Sequence, residues 1–384
     1  MIKIFIYSFL VCLFVASCGN PSKSGQKNVT QNMSSQQKSD VGSLRYAKGF
    51  LVEEYEKYRL LKVLDPNDFK TVKYQFALVQ KDEGKVNTPE GIPVIEVPIR
   101  SLVCMTSTQV SYIIRLGLTD RLVGVASSRF LFDENIQKGI TDGRVERIGI
   151  EGSFKVERLM DKNPDLVMVS PFKKGGYNAI KDLGLTLVPN IGYKENHPLA
   201  RAEWLKFTAL FFGMEQKADS IFNDIERNYL DLKAKADQVK SRPTIFSGEC
   251  KSGIWYAVGG KSYLATIFKD AGAHYFMEDN DQSGGVNLDF ETVYNQAENS
   301  DYWRLLVSHQ GDFSYNALLS NDERYADFKA FQNRAVISCN LRQKPFYERT
   351  PVEPHIVLAD FIKAMHPDIL PEYEPVYYEL LKDE

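Results

Sequence analysis

The chain is predicted to be an α/β protein of two lobes, each a mostly parallel sheet flanked by helices. A single long helix joins the lobes, and a β-rich extension precedes them at the N-terminus. Three observations predict this. A helix-to-strand unit, Val156-Glu157-Arg158-Leu159-Met160 followed by Asn163-Pro164-Asp165 and Leu166-Val167-Met168-Val169-Ser170, recurs at Phe290-Glu291-Thr292-Val293-Tyr294, Asn299-Ser300-Asp301 and Leu305-Leu306-Val307-Ser308. Strand and helix signals alternate on both sides of residue 240, the pattern of parallel α/β sheets. Between them, Ala218, Ile221, Phe222, Ile225, Tyr229, Leu232, Ala236 and Val239 step by three and four, as one face of a helix does. Over residues 215–239 that helix would span roughly 37 Å at 1.5 Å per residue.

Taken in order, Lys3 and the apolar run Ile4 to Val15 read as an export signal over residues 1–17, too short to span a membrane comfortably. The run ends Val15-Ala16-Ser17-Cys18-Gly19, which resembles the lipobox of bacterial lipoproteins and implies lipid attachment at Cys18. Several acyl chains, at about 0.8 kcal/mol per buried methylene, would make that anchor stable. Residues 18–43, poor in apolar side chains, read as a flexible tether. Residues 44–98 carry strand-like runs around a turn at Asp65-Pro66-Asn67-Asp68 and form the β-rich extension.

The first lobe is expected over residues 99–197. There Ser101-Leu102-Val103-Cys104 leads into Thr106-Ser107-Thr108, a helix N-cap signal, and the helix closes at Gly117. Linking helices are expected over 198–242 and end at Pro243. The second lobe, 243–384, opens with the strand Thr244-Ile245-Phe246-Ser247; a helix from Tyr263 to Ala271 follows the Gly259-Gly260 turn, and the chain ends helix-rich.

Apolar residues make up 43% of the 384-residue chain and charged residues 25%, enough for buried cores. With 47 Lys and Arg against 50 Asp and Glu, nothing favours nucleic acid as a partner. The five histidines show no zinc-helix spacing, and Cys104, Cys250 and Cys339, each in or beside an apolar strand-like run, read as buried free thiols. Gly260-Lys261-Ser262 imitates a phosphate-binding loop, but Trp255 stands where the leading glycine belongs. Neither a Gly-x-Ser-x-Gly elbow nor a Gly-x-Gly-x-x-Gly turn occurs. No enzyme chemistry, metal centre or cofactor is predicted.

Over about residues 99–367 the chain resembles the substrate-binding lipoproteins of ABC importers, specifically the iron-siderophore and cobalamin family with a helical backbone (class III). Carrying the resemblance are Leu116-Gly117-Leu118-Thr119-Asp120-Arg121-Leu122-Val123-Gly124-Val125, Val156 to Val169 with Asn163-Pro164-Asp165, Val258-Gly259-Gly260-Lys261-Ser262-Tyr263, and Asp270-Ala271-Gly272-Ala273. It implies a monomeric receptor, lipid-anchored in a bacterial periplasm, that delivers a ferric siderophore, cobalamin or haem to a permease dimer and its ATPase. It further implies docking through one acidic residue per lobe, here Glu157 and Glu291. A ligand sensor without a permease, or a secreted hydrolase, are the competing expectations. The 44–98 extension departs from the family minimum.

The cleft of such a fold lies at the carboxyl ends of the strands. That expectation places Thr106, Ser107, Ser127, Arg129, Phe172 and Tyr193 of the first lobe at its mouth. From the second lobe it places Trp255, Tyr256, His309, Arg342 and Tyr347 there. Arginine would hold anionic groups of a chelate, and aromatic rings would stack on its flat faces.

Overall fold

The computed structural model of the protein describes residues 44–150, 153–171 and 176–382. Cys18 and Phe172 lie outside them, as do the leader and the tether.

Four strands, β1 (Phe50–Glu54), β2 (Arg59–Leu64), β3 (Val72–Gln80) and β4 (Val94–Val97), form the extension's sheet. The first three pair antiparallel and β4 pairs parallel with β3. In the first lobe, β5 (Leu102–Cys104), β6 (Leu122–Val125), β7 (Glu146–Arg147), β8 (Leu166–Val169) and β9 (Leu187–Pro189) lie wholly parallel in the order β7-β6-β5-β8-β9. Helices α1 (Ser107–Leu116), α2 (Glu134–Thr141), α3 (Val156–Lys162) and α4 (Asn178–Lys181) connect them. Neighbours along one strand serve opposite cores: Leu102 and Cys104 join the large central cluster, while Val103 joins Val167, Ile148 and Leu159 on the other face. Burial on both faces explains why these strands are continuously apolar.

The link comprises two helices, α5 (Pro198–Ala209) and α6 (Glu215–Ala236). Helix α6 is about 33 Å long at 1.5 Å per residue and buries Ala218, Phe222, Ile225, Tyr229 and Ala236, the face its spacing predicts.

The second lobe contains β10 (Thr244–Ser247), β11 (Cys250–Lys251), β12 (Ile254–Val258), β13 (His274–Tyr275), β14 (Gly285–Leu288), β15 (Tyr302–Val307), β16 (Val336–Asn340) and β17 (Glu379–Leu380). Its helices are α7 (Tyr263–Asp270), α8 (Phe290–Ala297), α9 (Tyr315–Leu319), α10 (Lys329–Gln332), α11 (Phe346–Arg349) and α12 (Pro354–Met365). The main sheet runs β13-β10-β15-β16-β17, parallel except for β17, and β11-β12-β14 form a small antiparallel sheet beside it. Helix α6 packs against both α5 and α12, so the connection is a helical layer and not an isolated strut.

The repeated unit becomes the same topology twice: β6-β5-β8-β9 corresponds to β13-β10-β15-β16. Its aspartates explain themselves here. Asp165 accepts from the amides of Arg100 (2.6 Å) and Ser101 (3.1 Å), and its own amide donates to Ser101 Oγ (3.0 Å). Asp301 accepts from the amide (2.8 Å) and hydroxyl (3.0 Å) of Thr244, and its amide donates to Thr244 Oγ1. Each corner therefore ties the start of its lobe's first strand to the strand beside it.

Two buried carboxylates fasten the extension to α5. Glu203 accepts from the amides of Arg45, Tyr46 and Ala47, and Glu195 accepts from those of Lys48 and Gly49 and from the Trp204 indole. Buried carboxylates persist when backbone donors surround them. Phe50 then packs on Trp204 (4.8 Å between centroids) and Phe207 (5.2 Å). Cys104 and Cys339 are buried free thiols, with Cys339 pushed up to about 12 by burial. Cys250 is half-buried, a departure from the expected core position that follows from its place in the short edge strand β11.

Candidate functional site

A cavity of about 160 Å³ lies between the lobes. Its first-lobe wall begins at α1. Thr106 caps that helix, its hydroxyl accepting from the Gln109 amide, while Gln109 Oε1 accepts back from the amides of Thr106 (3.1 Å) and Met105 (2.9 Å). This reciprocal cap orients Gln109 Nε2 to donate to Ser170 Oγ at 3.0 Å, which fixes a hydroxyl on the cavity wall at the end of β8. Thr108 and Tyr112, one turn apart on α1, face the same space. Gly192 must be glycine here, since a Cβ would stand 2.8 Å from the Trp204 ring.

Among the described residues, Arg201 of α5 is the charged residue of the lining. Its guanidinium lies 3.7 Å from the centroid of Tyr263, which belongs to the second lobe, and donates to the Tyr193 carbonyl at 2.6 Å in the first. Its own carbonyl accepts from Tyr112 Oη at 2.9 Å. The far wall is Tyr263 and Ile267 of α7 with Phe346 and Tyr347 of α11. Burial pushes the phenols of Tyr112, Tyr193 and Tyr347 upward, so all three stay neutral donors. Among the described residues, the lining contains no carboxylate. One layer behind, Arg304 on β15 is buried and donates through Nε (3.0 Å) and Nη2 to Tyr378 Oη.

The lobes also touch at the cavity rim. Phe130 meets Tyr347 edge-on at 5.5 Å, and the amide of Phe132 donates to Glu348 Oε2 at 2.7 Å. Burial raises the Glu348 carboxyl above its ordinary value against those backbone donors, and Oε1 is buried without a partner.

Of the residues expected at the cleft mouth, Tyr193 and Tyr347 line this cavity. Thr106 and Ser107 stand half-buried beside it at the start of α1, with Thr106 spent on the helix cap. Arg129 is exposed, its guanidinium 5.0 Å above the Phe130 ring, and Ser127 is exposed too. His309 and Arg342 follow β15 and β16 at the carboxyl ends of the strands, away from the cavity lining; both backbone amides donate to Asn340 Oδ1.

Trp255 is a correction. Its ring is fully buried among Phe246, Trp303 and Phe328, and its indole donates to the Ser247 carbonyl at 2.9 Å. Strand alternation sends its neighbour Tyr256 outward, 48% exposed and across from Asn287, on the small antiparallel sheet. Neither touches the cavity. Ser170, at the end of β8, lines the cavity, whereas Ser308, at the matching end of β15, is exposed outside the lining.

Sequence reasoning missed Tyr112 and Arg201. Tyr112 carried a legible signal, one helical turn from Thr108, but Arg201 had none, because its partners come from three separate segments.

Glu157 on α3 and Glu291 on α8 are both exposed in the first turns of corresponding helices. Glu291 stands 3.5 Å from Arg324, which also pairs with Asp322 and covers the Phe290 ring.

Two α/β lobes on a helical backbone with a cavity between them define a two-lobed solute-binding protein. The chain belongs to the periplasmic binding protein family, whose sequence model matches residues 102–342. It is 23% identical over 401 aligned positions to an uncharacterized lipoprotein of Methanocaldococcus jannaschii, covering 96% of this chain and 93% of the relative. Among solved structures it is similar to a periplasmic binding protein from Veillonella parvula (16% identity, TM-score 0.58, 83% of this chain and 98% of that one). It is also similar to a periplasmic heme-binding protein from Pseudomonas aeruginosa (17% identity, TM-score 0.57, 74% and 99%).

Proposed function

We propose that the protein is the lipid-anchored, extracytoplasmic receptor of an ABC importer, capturing a metal chelate between its lobes and passing it to a permease. A ferric siderophore is the ligand class that reading favours, with haem, as bound by the Pseudomonas neighbour, or cobalamin as the alternatives. The observation carrying it is the interlobe cavity itself, with tyrosines contributed by both lobes around one arginine. Such a wall stacks on flat ligand faces and meets a charged group. Its 160 Å³ falls below the roughly 300–1,000 Å³ of typical small-molecule sites, so a chelate engages it either by one protruding group or as the lobes part. Glu157 and Glu291, at matched places on the two lobes, supply a two-point contact for permease arginines, a geometry that orients docking more than it tightens it.

The test is one reconstitution. Anchor-free protein is titrated by calorimetry with ferric siderophores, hemin and cyanocobalamin, and the full lipoprotein is paired with its permease in vesicles for uptake of whichever binds. Saturable binding of at least one is expected, with uptake abolished by Glu157→Lys plus Glu291→Lys while affinity is retained. Absence of binding across the series sinks the receptor reading; uptake indifferent to both reversals sinks the docking assignment.

A further inference from the structure

Arg201 has more hydrogen-bonding capacity than the described residues use. A guanidinium offers five N–H donors; one is committed to the Tyr193 carbonyl, and the plane rests on Tyr263. Among the described residues no carboxylate pairs with it, and the cavity it faces has none in its lining. The hydroxyls nearby, those of Thr108, Ser170 and the tyrosines, are neutral. Arg201 is half-buried, and Arg304 behind it adds a fully buried positive charge within electrostatic reach of Tyr263 and Tyr347 that, among the described residues, likewise has no acidic partner. Taking a cation even partly out of water without a counter-ion is costly, and a cavity walled by low-dielectric side chains focuses its field.

We propose that Arg201 is the specificity-determining residue of the interlobe cavity and that the ligand presents an anionic group to it. This rests on the receptor reading and narrows it: complexes with a net negative charge or an exposed carboxylate, catecholate or oxyanion are selected over neutral ones of similar size. Because Arg201 touches Tyr193 in one lobe and Tyr263 in the other, the same ionic contact draws both walls onto the ligand.

The experiment compares, by calorimetry on the anchor-free protein, an anionic ferric tris-catecholate complex, hemin and molybdate with a neutral ferric trihydroxamate and cyanocobalamin, at low and at high salt. The wild-type protein is expected to bind an anionic probe most tightly, and to lose affinity as salt screens the contact. Arg201→Met should raise the Kd of that probe about 10- to 100-fold, the range of charge-assisted hydrogen bonds, and Arg201→Lys by less. The wild-type charge preference and salt dependence decide the matter even if Arg201→Met fails to fold. A neutral probe bound most tightly, or an anionic one held within twofold by a folded Arg201→Met, overturns this inference while leaving the receptor reading intact. Failure of every probe on the wild-type protein overturns both.

Discussion

At the scale of single residues, the contrast between Trp255 and Tyr347 shows how aromatic residues divide between packing and recognition. Both are aromatic, yet Trp255, within β12, stacks inside the aromatic-rich core of the second lobe, whereas Tyr347, on α11, faces the interlobe cavity. Trp255→Ala is expected to cost about 3–5 kcal/mol of stability, as other buried aromatic deletions do, with ligand affinity unchanged in the folded fraction. Tyr347→Ala should instead weaken ligand binding at least fivefold with a smaller loss of stability. Denaturant unfolding combined with calorimetry separates the two; equal effects from both substitutions would refute the division. Local signals located Tyr347 and Tyr193 at the cavity because each follows a strand end. They misplaced Trp255, because the alternation of β12 cannot be phased until its partner strands are known.

Among the secondary-structure elements, the corner aspartates decide how each lobe's sheet is registered. Burial pulls the Asp301 carboxyl upward, but the Lys329 ammonium at 2.7 Å and the Thr244 amide and hydroxyl outweigh it and hold its pKa below the usual carboxylate value. The folded form therefore binds that proton less readily than the unfolded chain. Its stabilising contribution is present above the ordinary carboxylate range and is lost as pH falls through the lowered value. Asp301→Asn should accordingly lower the melting temperature near neutrality, with the gap from wild type closing toward pH 2–3. A gap that stays constant across that titration would exclude the ionised corner. The repeat that contains Asp301 was visible in the sequence, as were the caps Thr106 and Gly117 and the buried face of α6, since each is a local pattern. The Thr244 and Ser101 partners were not, because sequence separation hides which strand start a corner will meet.

For the whole molecule, a continuous apolar cluster runs from the extension through α1, α5 and α6 to α7 and α12. A shared core of that kind limits how far lobes can move, so the adjustable contacts are those at the rim, Phe130 on Tyr347 and Phe132 on Glu348. Glu348→Ala would leave the half-buried Phe132 amide without its acceptor, a loss of about 1 kcal/mol. Hydrogen exchange at Phe132 and Asp133 should then speed up in the ligand-free protein and slow again on ligand binding. Unchanged exchange in the variant would show that the rim contact does not hold the lobes together.

The sequence by itself determined the α/β class, the twofold repetition, the amphipathic α6 and the β-rich character of residues 44–98. All of these depend on periodicities and caps that operate over a few residues. Only the tertiary structure decided that the link is a layer of three helices, that the extension is clamped by Glu195 and Glu203, and that Arg201 stands among Tyr112, Tyr193 and Tyr263. Those features depend on groups far apart along the chain being brought together by burial, and neither pattern nor propensity encodes which distant partners will meet.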